Sequence, residues 1–244
     1  MTTTQDRAPL SRRERPSKAP LSRESIVAAT LRLLDEGVER LTMRRVAAEL
    51  DTGPASLYVY VRDTQELHTA VLEEILGTSG LLELQPDDTR TPRELLVDLL
   101  MRYIAMLMRY PSVARVTAFS RPMGANYVRL VEALLDLLVR CGVPLPVAGW
   151  GIDLLLQQAE TTAVEQSQRD AAIERAEEAA QRAAIGTLIA EGSVELPHLV
   201  ALGEDIVSGE GPERGAWSVE VLLNGLLATP RPPATAKSPP TATA

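Results

Sequence analysis

Apolar residues recur along most of this chain three and four positions apart, which is the spacing that places them on one face of a helix. In the first such stripe, Ile26, Leu33 and Leu34 follow Ser22, a residue type that often caps helix N-termini. Gly37 follows the stripe, as glycine does where a helix ends in a left-handed residue. Strand-like alternation is scarce, so we predict an all-α protein.

Three further helices are predicted after this one. Thr42 is expected to be the N-cap of a second helix, and residues 51–53 break that helix. Pro54 suits the first position of a third helix over residues 54–61, because its missing N–H would be unpaired there anyway. Asp63 and Glu66 predict a capping box that starts a fourth helix, with Gly77 after its end. Two short helices backed by a longer one predict a helix-turn-helix.

The remainder of the chain predicts a larger helical domain. Thr91 and Glu94 flank Pro92 in a second capping box, and Pro111 ends the helix that it starts. Further helices are expected at about residues 112–119, 126–140, 147–168, 169–190 and 214–228, the fourth of these as a surface insertion. The predicted organisation is a disordered basic arm (1–20), a helix-turn-helix domain (21–77), a helical effector-binding and dimerisation domain (78–228) and a disordered Pro/Ala/Thr tail (229–244). Residues 203–215 are also expected to be poorly ordered.

The acidic net charge of −8 at first argues against a nucleic-acid partner, but it is unevenly distributed. Residues 1–77 carry a net −1 and residues 78–244 a net −7. Whole-chain charge therefore does not decide the question, and residues 1–20 are basic enough to contact phosphates. A solvated tail explains these residues equally well. The chain has one cysteine and no long apolar run, and we expect a cytoplasmic protein that spans no membrane.

The residues of the predicted helix-turn-helix carry a family resemblance. The runs Leu-Thr-Met-Arg-Arg-Val-Ala (41–47) and Ala-Ser-Leu-Tyr-Val-Tyr-Val-Arg-Asp (55–63), with Gly37, Leu50 and Leu67 around them, resemble the DNA-binding domain of the tetracycline repressor (TetR) family. The resemblance covers about residues 21–77. It implies DNA contacts by Thr42, Arg44, Ala55, Ser56, Tyr58, Tyr60 and Arg62. Thr64 stands where many relatives have a phosphate-binding lysine.

A looser resemblance extends to residues 110–142, which are similar to the effector domain of the tetracycline repressor subgroup. In that subgroup an Arg-Pro pair, here Arg121 and Pro122, ends a short mobile helix at the pocket. Thr117 occupies the position of the subgroup's metal-ligating histidine, and Glu165 matches an acidic pocket position. One carboxylate cannot build that magnesium site, so we expect no metal and no cofactor.

An effector pocket is the main prediction for the larger domain. Its expected lining combines apolar side chains with a few polar contacts: Leu100, Ile104, Leu107, Thr117, Phe119, Arg121, Leu134, Leu138, Trp150, Leu155, Gln157, Gln158, Thr161 and Glu165. For most of these residues, ordinary core packing is the favoured alternative. His68 and Cys141 lie in no catalytic or metal-ligand spacing, and we expect both to be structural.

Taken together, these features predict a transcription regulator and no enzyme. A single helix-turn-helix reads few base pairs, so a homodimer on a palindromic DNA operator is expected, joined through helices near 147–168 and 214–228. A small-molecule effector of unknown identity would release such a repressor from DNA. Two alternatives remain open: an architectural DNA-binding protein without an effector, and an enzyme with an incidental helix-turn-helix.

Overall fold

The structure is a computed structural model. It describes residues 20–38, 40–83, 89–120, 122–167, 180, 183–184, 186–187, 197–203, 205 and 208–232. Residues 1–19 of the predicted basic arm, Arg121, most of the predicted insertion at 169–190 and residues 233–244 of the predicted tail lie outside the described residues. Within the described part, no helix is both long enough and apolar enough to cross a membrane.

The described residues are helical and contain no strand, so the all-α prediction is confirmed. The first four helices are α1 (Arg23–Asp35), α2 (Met43–Glu49), α3 (Pro54–Leu57) and α4 (Thr64–Thr78). The others are α5 (Pro92–Arg109), α6 (Pro111–Thr117), α7 (Ala125–Arg140), α8 (Leu145–Ser167), α9 (Pro197–Leu202) and α10 (Gly211–Ala228).

Most of the predicted caps are present. The hydroxyls of Ser22 and Thr42 accept hydrogen bonds from backbone N–H groups three residues on, and Thr91 with Glu94 forms a complete capping box. Gly37 has φ +82°, the left-handed conformation expected after a helix end. The box at Asp63 is only half formed. Asp63 accepts from the Glu66 N–H as predicted, but the Glu66 carboxylate accepts from the backbone N–H and the guanidinium of Arg62.

Three element boundaries differ from the sequence prediction. The third helix ends at Leu57, because residues 58–60 turn so that Val61 can return to the core. The fourth continues through Gly77 to Thr78, and α10 begins at Gly211. Residues 211–215 are therefore helical, which corrects their prediction as poorly ordered. Glycine is a weak helix former, so composition alone misjudged a helix that is held by its neighbours.

The first four helices share a small apolar core. Ile26 of α1, Val46 of α2, Leu57 of α3, Val61 of the following turn and Leu67 of α4 are all essentially inaccessible to solvent. Burial of a side chain of this size contributes about 1.5–3 kcal/mol. Helix α2 packs against α1 and α3, and α1 packs against α4, so this core holds two short helices that would not be stable alone.

In the larger part of the molecule, α5 packs against α7, α8 and α10. Its buried face includes Leu96, Leu99, Leu100, Tyr103 and Leu107. Helices α8 and α10 approach closely at Gly151, where a Cβ atom would lie 2.6 Å from a Leu226 methyl carbon. Gly151 therefore permits the close approach of these two helices. At Gly149, no described atom beyond the backbone of its own helix lies within 4 Å of where a Cβ would be.

Candidate DNA-binding surface and effector cavity

The predicted DNA-contacting residues lie together on the outer side of α2 and α3. Thr42 is half-buried at the start of α2, where its hydroxyl accepts a hydrogen bond from the Arg45 N–H (3.2 Å), and Arg44 is exposed in the first turn. Ala55 is exposed and Ser56 half-buried at the start of α3. Backbone N–H groups at such helix starts suit phosphate oxygens, and short side chains leave room for base edges.

The turn after α3 adds three large exposed side chains. Tyr58 and Tyr60 are 53% and 38% exposed, and Val59 between them is 78% exposed. Arg62 is almost fully exposed and forms an ion pair with Glu66 (3.0 Å), which raises the pKa of its guanidinium. Together with the starts of α2 and α3, this turn can offer hydroxyl, guanidinium and apolar contacts to a duplex. The contacts with DNA stay a prediction.

A cavity of about 290 Å³ opens between the segment after α6, the start of α7 and the middle of α8. Its lining combines two aromatic rings, two carboxyl groups and smaller side chains: Ala118, Phe119, Ser120, Tyr127, Asp153, Leu156, Gln157 and Glu160. A concave site with a few convergent polar groups is typical of a small-molecule site.

Glu160 is the chemically unusual residue of this cavity. Its side chain is only 5% exposed. The Tyr103 hydroxyl, which is completely buried, donates a hydrogen bond to the Glu160 carboxyl (3.2 Å), and Tyr127 also hydrogen-bonds to it. Burial raises the pKa of the Glu160 carboxyl to about 8, although both tyrosine hydrogen bonds lower it. The group is therefore mostly protonated at pH 7, and it can both donate and accept hydrogen bonds.

The structure brings few of the predicted pocket residues into this cavity. Phe119, which is 91% exposed, and Gln157 line it. Leu100, Ile104, Leu107, Leu134, Leu138 and Leu155 are buried in the core, as the alternative interpretation had it. Thr117 is buried with its hydroxyl donating to the Val113 carbonyl (2.9 Å). Trp150, Gln158, Thr161 and Glu165 lie elsewhere on α8, and Arg121 is outside the described residues.

Sequence reasoning missed Tyr103, Tyr127 and Glu160 as a polar cluster. One signal was available, because Glu160 follows Ile152 and Leu156 at four-residue spacing and thus occupies the apolar stripe of α8. A carboxyl group at a core position is rarely buried without a partner. No spacing in the sequence indicated that its partners would come from α5 and α7.

The two parts of the molecule meet where α4 contacts the start of α7. Gly124, the N-cap of α7, has no side chain to pair the first N–H groups of that helix. Glu73 of α4 does so instead: its Oε2 accepts from the Asn126 N–H (2.8 Å) and its Oε1 from the Tyr127 N–H (2.9 Å). The Asn126 side-chain amide donates back to the Glu73 carbonyl (2.9 Å). We call this arrangement the Glu73 cap.

An open groove of about 570 Å³ lies beside the Glu73 cap, between α1, α4 and residues 123–126. Elsewhere on α4, His68 is buried with its Nδ1 2.6 Å from the Thr64 carbonyl and its Nε2 without a hydrogen-bond partner. Burial lowers the pKa of the His68 imidazole, which therefore stays neutral. Among the residues that the structure describes, no group of three His, Cys, Asp or Glu side chains is placed to hold a metal ion.

Comparison with known proteins identifies the larger domain. Residues 85–229 match the family model described as the tetracyclin repressor-like C-terminal domain. The chain belongs to the TetR family. It is 34% identical over 138 residues to the transcriptional repressor DrrR1 of Streptomyces coeruleorubidus, a match that covers 54% of this chain and 50% of DrrR1. It is 30% identical over 154 residues to the class D tetracycline repressor of Escherichia coli, covering 59% of this chain and 70% of that protein.

A solved structure of a TetR-family protein extends the likeness to the whole fold. ActR of Streptomyces coelicolor, determined in complex with (S)-DNPA, superimposes with a TM-score of 0.73 at 30% identity, covering 86% of this chain and 98% of ActR. The predicted family and the predicted helix-turn-helix with a helical C-terminal domain are thus confirmed. As a member of this family, the chain is a DNA-binding transcriptional regulator.

Proposed function

We propose that this TetR-family regulator represses transcription as a homodimer on a palindromic operator and leaves DNA when a small molecule enters the cavity beside Glu160. The cavity carries the proposal, because it places a buried, hydrogen-bonded carboxyl where a ligand would meet it. ActR was solved with a small molecule bound, which supports a ligand-responsive role for a chain of similar fold.

Dimerisation is proposed through the outer faces of α8 and α10. On α8 the exposed residues Trp150, Leu154 and Thr161 follow one another at helical spacing. On α10 the exposed residues Trp217, Val221 and Gly225 do the same, and among the described residues no atom beyond the backbone of this helix lies within 4 Å of a Cβ position at Gly225. Exposed apolar stripes of this kind mark interfaces. Leu226 of the same helix instead packs against Gly151 within the chain.

The operator is the first target for experiment. Duplexes bound by the full chain would be selected from a random library, and the consensus is expected to be a palindrome whose half-sites are about one helical turn apart. Binding would then be compared between the wild type and Arg44→Ala, with Arg140→Ala, an exposed arginine that pairs with Asp136 of its own helix α7, as the control. A selection that yields no sequence preference would contradict the regulator and favour an architectural DNA-binding protein.

A second experiment tests whether the basic arm contributes to DNA binding. We propose that residues 1–20 contact phosphates or the minor groove, because this segment contains five basic residues and only two acidic ones. Deletion of residues 1–19 is expected to weaken binding to the selected duplex and to reduce the salt dependence of its affinity. An unchanged salt slope after the deletion would show that the arm is a solvated tail.

A further inference from the structure

The Glu73 cap joins the DNA-binding helices to the start of α7 by three hydrogen bonds with little slack. A Cβ atom at Gly124 would lie 1.9 Å from the Glu73 carboxyl carbon, and one at Gly77 would lie 2.8 Å from the Asn126 amide nitrogen. A side chain at Gly124 would displace the Glu73 carboxylate and one at Gly77 would displace the Asn126 amide, so glycine at both positions leaves room for the cap as it stands. A carboxylate at this helix start is also favoured by the unpaired N–H groups and the helix dipole.

Tyr127 takes part in both the Glu73 cap and the cavity. Its backbone N–H donates to Glu73, and its side chain hydrogen-bonds to Glu160. Because one residue makes both contacts, the covalent geometry of Tyr127 limits how far Glu73 and Glu160 can move relative to each other. A molecule that displaces the Tyr127 ring or the Glu160 carboxyl therefore acts on the first turn of α7, and Glu73 transmits that movement to α4.

The other contacts between the two parts of the chain are poorly suited to this role. Asp35 of α1 pairs with Arg109 of α5 (2.9 Å), but both side chains are largely exposed and such a pair contributes little. Helices α4 and α6 also touch, and there the buried His68 bonds within its own helix and leaves its Nε2 unpaired. The Glu73 cap combines charge-assisted hydrogen bonds with a direct connection to the cavity through Tyr127.

We propose that Glu73 is the positioning residue that couples occupancy of the cavity to the separation of the recognition helices. A ligand at Tyr127 and Glu160 shifts the start of α7, and α4, held by Glu73, moves with it into the adjoining groove. The two α3 helices of the dimer then no longer match two half-sites. This inference rests on the proposed function, in which the cavity binds the effector.

Because the effector is unidentified, the test fills the cavity with a side chain. Ser120→Trp places an indole in the cavity, and it would be combined with Glu73→Ala and, as a matched control, with Glu74→Ala on the exposed side of the same helix. Affinity for the selected duplex is expected to fall about tenfold with Ser120→Trp alone and with the control, a typical coupling factor. In the Glu73→Ala background the same change should lower affinity less than about threefold.

Amide hydrogen exchange provides a second readout that needs neither ligand nor DNA. Exchange at Asn126 and Tyr127 should be faster in Glu73→Ala, unchanged in Glu74→Ala, and faster in Gly124→Ala, whose new methyl group displaces the Glu73 carboxylate. If Ser120→Trp fails to fold by thermal melting, Ala118→Phe fills the same cavity.

The possible failures are distinguishable. If neither filled cavity changes DNA affinity in the wild-type background, the regulatory role of this cavity is wrong, and the inference falls with it. If the filled cavity lowers affinity equally with and without Glu73, the cavity keeps its role and Glu73 is only a local helix cap. Protected amides at Asn126 and Tyr127 in Glu73→Ala would likewise overturn the inference.

Discussion

The DNA-binding surface and the effector cavity are built in opposite ways. The surface collects exposed and half-buried side chains from one continuous stretch, residues 42–62, where α2 begins at the Thr42 cap and α3 begins at Pro54. The cavity is lined by the segment after α6 together with α7 and α8, and its Glu160 is held by the buried Tyr103 of α5, so its parts are distant in sequence. A local site tolerates changes in its surroundings, whereas a site assembled from three helices depends on the packing of the whole domain.

The largest effect that distinguishes core from cavity is expected at Leu134. The sequence suggested it as a pocket residue, but it is completely buried in the core on α7. Leu134→Ala should leave a void and lower the free energy of unfolding by about 2–5 kcal/mol, measured by urea denaturation. Val139→Ala, at an exposed position of the same helix, should change it by less than about 0.5 kcal/mol. A negligible effect at Leu134 would mean that this side chain lines open space after all.

Glu160 gives the next largest effect, through pH. The folded chain keeps this carboxyl protonated up to a pKa of about 8, whereas the unfolded chain ionises it near 4.5. Stability contributed by the protonated form is therefore lost as pH rises from about 4.5 to 8, by roughly 1 kcal/mol per pH unit. Glu160→Gln has no proton to lose, and its unfolding free energy relative to wild type should increase over this range. Parallel profiles would refute the raised pKa.

Two substitutions at Thr42 distinguish its role as a helix cap from its predicted role as a DNA contact. Thr42→Ala loses the hydrogen bond from Arg45 and should cost about 1 kcal/mol of stability. Thr42→Asp keeps a good cap, so its melting temperature should match the wild type, but its charge should repel phosphates. Affinity for the selected duplex is thus expected to fall further in the aspartate variant than in the alanine variant. The reverse order would remove Thr42 from the DNA-binding surface.

The smallest effect is expected at Tyr60. Tyr60→Phe removes one hydroxyl from an exposed ring, so stability should stay unchanged while DNA affinity falls about fivefold, the value of a single hydrogen bond. Tyr110→Phe is the converse control, because its hydroxyl donates to Asp35 and lies away from α3. It should alter stability and leave DNA affinity unchanged. Equal DNA affinities for wild type and Tyr60→Phe would exclude a phosphate contact by this hydroxyl.

The DNA-binding half could be predicted well from the sequence because its signals are local. Ser22 and Thr42 cap helices as expected, and Leu57 and Val61 face inward. Where local signals failed, a distant group had intervened. Gly77 looked like a residue after a helix end, yet it lies inside α4, where the Asn126 amide from α7 occupies the space that a side chain would take.

The cavity was harder to predict because its residues come from elements that are distant in sequence. Leucines at helical spacing look alike whether they fill a core or line a pocket, so Leu100 and Leu107 could not be told apart from true lining residues. Glu73 resembles, in sequence, one more solvated carboxylate of α4. Its role depends on the crossing of two helices whose contacting residues lie 53 positions apart, which no local spacing encodes.

The two glycines at the α4–α7 crossing also limit how this regulator can be recombined. A chimaera that joins residues 1–77 to the ligand-binding half of a relative would keep Glu73 and Gly77 but exchange Gly124 and Asn126. A side chain at the position of Gly124 would collide with Glu73, and such a hybrid sensor would bind its inducer without responding to it. A functional chimaera therefore has to keep matching residues on both sides of the α4–α7 crossing when the pocket is exchanged.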